Sequence, residues 1–325
     1  MRVENLASLI KGVFENHVSI THIGGYSFEA KNVKRTHAYI CLMADESEIE
    51  LAIKNGAYAI ITSEKIIIND SEVAYIRVEN INTALIRLMR YFASQKALKF
   101  YCVNAVQMQI LSKIHAKNVN FISKDLATLF KSIENAAFGA MFFGADIRIL
   151  QQLNPLYEHV FADVKIYSLN SGSIFFTNVI IDDMYYQGLG VAGVFLPSFA
   201  GLVKFLNSNK IEYKIGEIKN LGHFEPIFID KNFAPVSFGS SFRAVICESD
   251  EELFKIEANY LYNKFGDEVK ILVPKMSWFE CENAIKIDDL RDVKEYKNFR
   301  YVLIFCKKQE LLEILSEEKQ TLSLF

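Results

Sequence analysis

The sequence predicts an α/β fold of several domains, with parallel or mixed sheets flanked by helices. Three observations carry this. Short apolar runs of strand length alternate with segments whose apolar residues recur at helical spacing, the rhythm of sheets with helices on their faces. Hydrophobic residues make up 51% of the 325-residue chain and charged residues 23%, ample for buried cores and unlike a disordered chain. Only five prolines interrupt it, so any domains should abut without long Pro-rich linkers.

Along the first hundred residues, Leu6, Leu9, Ile10 and Val13 share one helical face, which predicts a helix over residues 3–14. Strands are expected at residues 18–22 and 37–43, with Gly24 and Gly25 as a turn between them. A helix over residues 47–55 should be capped by Ser47 and stopped by Gly56, where a left-handed backbone favours glycine. Strands at residues 58–62 and 74–78 and a helix over residues 82–94 complete the unit. Its expected core holds Ile40, Leu42, Ile53, Ile60, Ile61, Leu85 and Leu88.

A second unit begins with a strand at residues 100–103, followed by helices over residues 105–115, 124–135 and 146–153. Residues 165–181 read as a hairpin turning at Asn170, Ser171 and Gly172. Beyond a helix over residues 199–207, the α/β rhythm resumes. Strands are expected at residues 242–247, 269–273 and 301–306, with helices over residues 250–265 and 309–319. The domains this implies are residues 1–98, 99–240 and 241–325.

Net charge is −3, from 36 basic and 39 acidic residues, and the longest basic cluster, residues 31–35, is short and interrupted. A surface that reads a nucleic-acid backbone concentrates basic charge, so nucleic-acid binding is not expected. The five cysteines are scattered, without a C-x-x-C pair, which is the usage of a reducing compartment. Glu4 and Lys11 interrupt any signal-peptide apolar core, so a cytoplasmic location is expected. Residues 184–203 carry no charge and are long enough to cross a bilayer, but Pro197 and four glycines interrupt them and a positive flank is weak. A buried loop and helix is the expectation, with no transmembrane span; peripheral membrane contact stays open.

Several motifs invite a chemical reading. Gly188, Gly190 and Gly193 fit G-x-G-x-x-G, with Glu212 downstream where a ribose-binding acid would stand. The residues before them do not read as a buried parallel strand, so a tightly packed turn is the competing reading. Gly239, Ser240 and Ser241 offer amides and hydroxyls to a phosphate, or simply form a loop. His223 stands two residues before Glu225 and would form an acid–base couple with it, or be an ordinary loop histidine. The six histidines never reach metal-ligand spacing with each other or with cysteine, and no G-x-S-x-G elbow is present. No metal or cofactor is expected.

One resemblance spans residues 1–98. Glu29-Ala30-Lys31-Asn32-Val33, then Thr36-His37 and Ala38-Tyr39-Ile40-Cys41-Leu42, lie where the N-terminal domain of the Mur ligases has Asp-Ser-Arg, Val, Gly-Asp and an apolar strand. Ala52-Ile53-Lys54-Asn55-Gly56-Ala57 matches that family's Ala-x-x-x-Gly-Ala, and Val78-Glu79-Asn80 with Ala84-Leu85 matches the start of its last helix. The chain thus resembles the MurE and MurF ligases, which attach amino acids to the peptidoglycan precursor. The resemblance implies Glu29 and Lys31 as positions toward a UDP-muramyl precursor, although the family's Asp-Gly-His loop is shortened to Ala44-Asp45-Glu46. It also exposes a loss. Where the family has a Gly-rich loop ending in Gly-Lys-Thr, this chain runs Asn104-Ala105-Val106-Gln107-Met108-Gln109, without the glycines that let amides approach phosphates or the lysine that reaches them. The expected protein is therefore a Mur-ligase-like pseudoenzyme that binds, scaffolds or regulates in cell-wall synthesis. Its partner would be a cell-wall protein or the precursor. The alternative is an enzyme acting on a nucleotide sugar or peptidoglycan precursor without ATP, using the loops around Gly188–Gly193 and Gly239–Ser241.

Overall fold

A computed structural model describes residues 1–17, 19–43, 45–160, 164–168, 173–216, 218 and 221–321. The chain divides into two compact units, Met1–Val103 with Asn118–His159, and Asn104–Lys117 with Val160–Phe325.

The first unit holds a five-stranded sheet in the order Val13–Phe14, Ala74–Arg77, Ala59–Thr62, His37–Ile40, Gly25–Ser27. All neighbours are parallel except the first pair. Side chains alternate across it, as the pleat requires. Ala38, Ile40, Ala59, Ile61, Ala74 and Ile76 face a core shared with the helices Val3–Ile10 and Ile81–Gln95. Tyr39, Cys41, Ile60 and Tyr75 face the other side, toward Ile49 and Ala52 of the helix Glu46–Lys54. Both faces are covered, which is why these strands read as continuous apolar runs. A second, all-parallel sheet orders Glu158–His159, Lys99–Cys102, Met141–Gly144 and Val119–Phe121.

The observed elements depart from expectation at identifiable places. No strand forms over the described part of residues 18–22, where His22 makes only an isolated bridge to Arg2. Gly24 and Gly25 are not a turn. Gly25 opens a strand beside His37, where a Cβ would lie 2.9 Å from the imidazole. Asp45, not Ser47, caps the second helix, accepting from the amides of Ser47 and Glu48. Leu42 is 46% exposed, because the strand ends at Ile40 and the chain bends away, and Ile53 is only half-buried. The turn expected at Asn170-Ser171-Gly172 lies outside the described residues, as does Ala44 of the shortened loop.

In the second unit, Ile166–Ser168, Thr177–Ile181 and Met184–Leu189 form an antiparallel sheet. Ile181 pairs with Met184, so Asp182 and Asp183 are a two-residue hairpin turn, with φ of 45° and 64°. Positive φ at both positions is the primed turn that matches strand twist, and aspartate is among the residues that tolerate it. The uncharged stretch thus begins as a strand and continues as the helix Leu196–Ser208, with Pro197 in its first turn, where a missing N–H costs nothing. Among the described residues no helix is long and apolar enough to cross a membrane. A five-stranded sheet orders Glu225–Ile229, Arg243–Glu248, Tyr301–Phe305, Val269–Pro274 and Ala284–Ile287, parallel except for its first pair. The helices Glu251–Phe265 and Lys308–Thr321 accompany it.

Candidate functional site

The parallel strands of that last sheet end together, and open α/β sheets bind ligands outside the carboxyl ends of their strands. Glu248 is the last residue of the strand Arg243–Glu248. Lys308 opens the helix that follows the neighbouring strand Tyr301–Phe305. Glu225 starts the antiparallel strand beside them, opposite Cys247. His223 sits just before it on a turn with two left-handed residues, Gly222 at φ 79° and Phe224 at φ 54°. A phenylalanine is strained there. Phe224 is held by burial and by edge-to-face or tilted contacts with Phe175, Phe195 and Tyr260, whose ring centroids lie 5.7, 6.1 and 6.1 Å away.

These residues enclose a cavity of ≈ 180 Å³ walled by Phe175, Phe195, Phe224 and Phe238, with His223, Glu225, Lys308 and the backbone of Gly190 also lining it. The His223 Nδ1 lies 2.9 Å from Glu248 Oε2. The other Glu248 oxygen accepts from the amides of Ser249 and Asp250, both at 2.8 Å. Three hydrogen bonds thus hold a nearly fully buried carboxylate in one orientation. The hydrogen bond to Glu248 raises the His223 pKa above its ordinary value, against the opposing effect of burial. Glu225, the candidate partner two residues away, is taken instead by Lys308 at 2.6 Å and by the Gly222 amide. A strand pairing brings Glu248 closer to His223 than two residues of chain bring Glu225.

Behind Glu248 lies Glu257, 0% exposed, with no donor to either carboxyl oxygen. Burial first, and then the facing Glu248, push its pKa well above the carboxylate range. A proton on Glu257, donated to Glu248, accounts for both facts, since two carboxylates in contact cannot both ionise at neutral pH. Glu257 therefore takes up a proton on folding. That linkage is neutral below the unfolded carboxylate range and subtracts stability as pH rises through and beyond it. Glu257→Gln, which keeps the donor and never ionises, is expected to raise the melting temperature by at least ~2 °C at pH 8, with the difference vanishing toward pH 4. Thermal unfolding of both proteins across that range checks it; a variant that loses ground as pH rises would refute a protonated Glu257.

The two glycine motifs meet this cavity at their edges. Gly190 lines it, and Phe238 brings the neighbouring loop to it. Gly188, next to last in an antiparallel strand, stands at φ 60° and donates to Asn178 Oδ1 at 2.7 Å. A Cβ on Gly193 would lie 2.5 Å from the Tyr260 hydroxyl. Glu212 is exposed and bonds Lys117. Gly239 at φ 76° and Ser240, whose amide bonds Ser237, form an exposed turn, and Ser241 Oγ accepts from the Arg243 amide. None of Gly188, Gly193, Gly239, Ser240 and Ser241 lines the cavity.

In the first unit, Glu29 precedes a single helical turn, Ala30–Asn32. Its carboxylate lies 3.2 Å from Lys31 Nζ and accepts from Asn32 Nδ2 at 2.8 Å. Both charged side chains are more than half exposed, a setting in which ion pairs contribute ~0–1 kcal/mol. Glu29 lines an open cleft of ≈ 600 Å³ together with Asn32, Lys34, His37, Thr128 and Lys131; Lys31 does not. Sequence reading missed Lys131, which is a hundred residues away and bonds the Tyr26 carbonyl.

Between the strand Lys99–Cys102 and the helix Ala105–Lys113 stand only Val103 and Asn104. Asn104 Oδ1 accepts from the Gln107 amide at 2.8 Å, and Gln107 Oε1 accepts from the Asn104 amide at 3.1 Å. This capping box occupies helix-terminal amides that a phosphate would need. Among the described residues no group of three or more His, Cys, Asp or Glu is placed to hold a metal ion.

No family model and no curated protein matches the sequence. Solved structures do match. MurF ligase from Thermotoga maritima in complex with ADP superposes with a TM-score of 0.53 and 13% identity, over 91% of this chain and 98% of that one. The UDP-N-acetylmuramoylalanyl-D-glutamyl-2,6-diaminopimelate–D-alanyl-D-alanyl ligase from Acinetobacter baumannii gives 0.50 and 12%, over 98% and 92%. The fold is that of the Mur ligases, as the resemblance over residues 1–98 implied.

Proposed function

We propose that this chain acts in cell-envelope synthesis, within peptidoglycan assembly, as a binding, scaffolding or regulatory factor of Mur-ligase fold that does not use ATP. The junction at Val103-Asn104 carries the reading. The neighbour from Thermotoga maritima is a ligase solved with ADP, whereas here two residues and a side-chain capping box stand where a phosphate-binding loop would be needed. In this reading the protein is cytoplasmic, and its partner is a cell-wall synthesis protein or a UDP-muramyl precursor held near Glu29. Lysine at position 31 offers a point charge without the planar fork of an arginine, so precursor affinity is weak.

Calorimetric titration is expected to show no ATP binding, and micromolar affinity mapped to residues 103–111 overturns the reading. Ligand-observed NMR with the UDP-muramyl precursor separates its two forms. Binding lost in a Glu29→Ala, Lys31→Ala double variant supports a precursor sensor. Absence of binding in the wild type favours a protein partner, and binding that survives the double change rejects the Glu29 site. The second reading is an ATP-independent enzyme acting on a nucleotide sugar or peptidoglycan precursor, and what favours it is the His223–Glu248 pair at the cavity.

A further inference from the structure

We infer that the Phe-walled cavity of the second unit is a general-base site, in which His223 Nε2 shares a proton with the acidic hydroxyl of a small, uncharged, ring-bearing ligand. The inference is independent of the cell-envelope reading, because it rests on this cavity alone.

The base comes first. With Nδ1 turned to Glu248 at 2.9 Å, the imidazole is held in the tautomer that carries its proton on Nδ1 and leaves Nε2 as acceptor. Among the described residues Nε2 has no hydrogen-bond partner, it is not one of the fully buried polar atoms, and the ring that carries it lines the cavity. Glu248 cannot turn away, because its second oxygen is fixed by two backbone amides. The strained turn from Gly222 to Phe224 sets the ring in place.

The ligand class follows from the walls. Phe175, Phe224 and Phe238 present ring edges and faces, with centroids 5.7 and 6.0 Å from Phe175 to the other two. Such walls favour an apolar or aromatic body. Lys308 is matched with Glu225 at 2.6 Å, and while His223 is neutral the Glu248 behind it adds a negative charge. A ligand arriving as an anion is repelled by that charge, and a neutral hydroxyl is not. Among the described residues no Ser, Cys or Thr lines the cavity, and Lys308 and Glu225 are engaged with each other, so the chemistry His223 offers is proton transfer. The step balances simply: the hydroxyl proton passes to Nε2, leaving an imidazolium against Glu248 and a ligand oxyanion beside it. The groups facing His223 are Glu248, Glu225, Asp250 and, behind Glu248, the protonated Glu257; each ionised carboxylate favours the imidazolium.

4-Nitrophenol is the probe, followed by its absorbance and by the His223 Cε1–H resonance of the full-length protein. Saturable binding is expected. Its affinity should peak between the titrations of His223 and of the probe, since the complex holds one proton between two groups, and fall on both sides. His223→Gln is expected to lower affinity at least tenfold and abolish the pH peak. Phe238→Trp fills the cavity from its exposed wall without touching the histidine pair. It is expected to remove binding while the His223 resonance still titrates, which keeps the test sound if the first variant fails to fold. Absence of saturable binding to the wild type overturns the inference, as does affinity unchanged by either substitution.

Discussion

Ile60→Asp is expected to destabilise the first unit's main sheet strongly. Ile60 lies in the strand Ala59–Thr62, between His37–Ile40 and Ala74–Arg77, and is 0% exposed. It packs among Tyr39, Tyr75, Ile49 and Ala52, none of which offers a basic partner. A carboxylate there must be desolvated without compensation or protonated against its ordinary pKa, at a cost on the order of 3–5 kcal/mol. For a unit of this size that lowers the melting temperature by on the order of 10 °C. Ile60→Val, which removes one methylene, should cost only ~0.5–1.5 kcal/mol. Differential scanning calorimetry of the three proteins checks this; an unchanged melting temperature for Ile60→Asp would place the residue outside the core.

Phe224→Ala should be comparably damaging in the second unit and should also disturb the candidate site. Its ring is nearly fully buried against Phe175, Phe195 and Tyr260. Truncating such a ring costs ~3–5 kcal/mol through lost burial and the cavity left behind. The same contacts hold the residue at φ 54°, so without them the turn is free to relax and carry His223 away from Glu248. The His223 pKa is raised chiefly by that hydrogen bond and should fall back toward its ordinary value. In the native protein, stability owed to this pairing is present below the unfolded histidine pKa and lost as pH rises through the folded one; the variant should lose much of that dependence. Thermal unfolding with NMR titration of His223 separates the two effects. A lowered melting temperature with an unmoved histidine titration would show that Phe224 supports the core but does not position the base.

Much of the architecture follows from local chemistry, and to that extent the sequence alone determined it. Gly56 is predicted to stop a helix and stands at φ 95° just past its end, because only a residue without Cβ adopts that backbone cheaply. The helical face of Leu85, Leu88 and Met89 and the apolar strand at residues 58–62 lie where their periodicity puts them, since burial selects one face of a helix and both faces of a parallel strand. The absence of such a phosphate loop at residues 103–109 is equally legible, because that chemistry needs spaced glycines and a lysine within a few residues. Tertiary structure decided what periodicity cannot carry. Whether Leu42 or Tyr39 is buried depends on where the strand ends, not on which is more apolar. Asp182 and Asp183 become a turn only through the pairing of Ile181 with Met184. The site shows this most clearly. His223 meets Glu248 across a sequence separation of twenty-five, and Glu257 becomes a proton-bearing carboxyl only because a helix packs it against that same glutamate. Hydrogen-bond partners and burial are properties of three-dimensional neighbourhoods, and distance along the chain does not rank them.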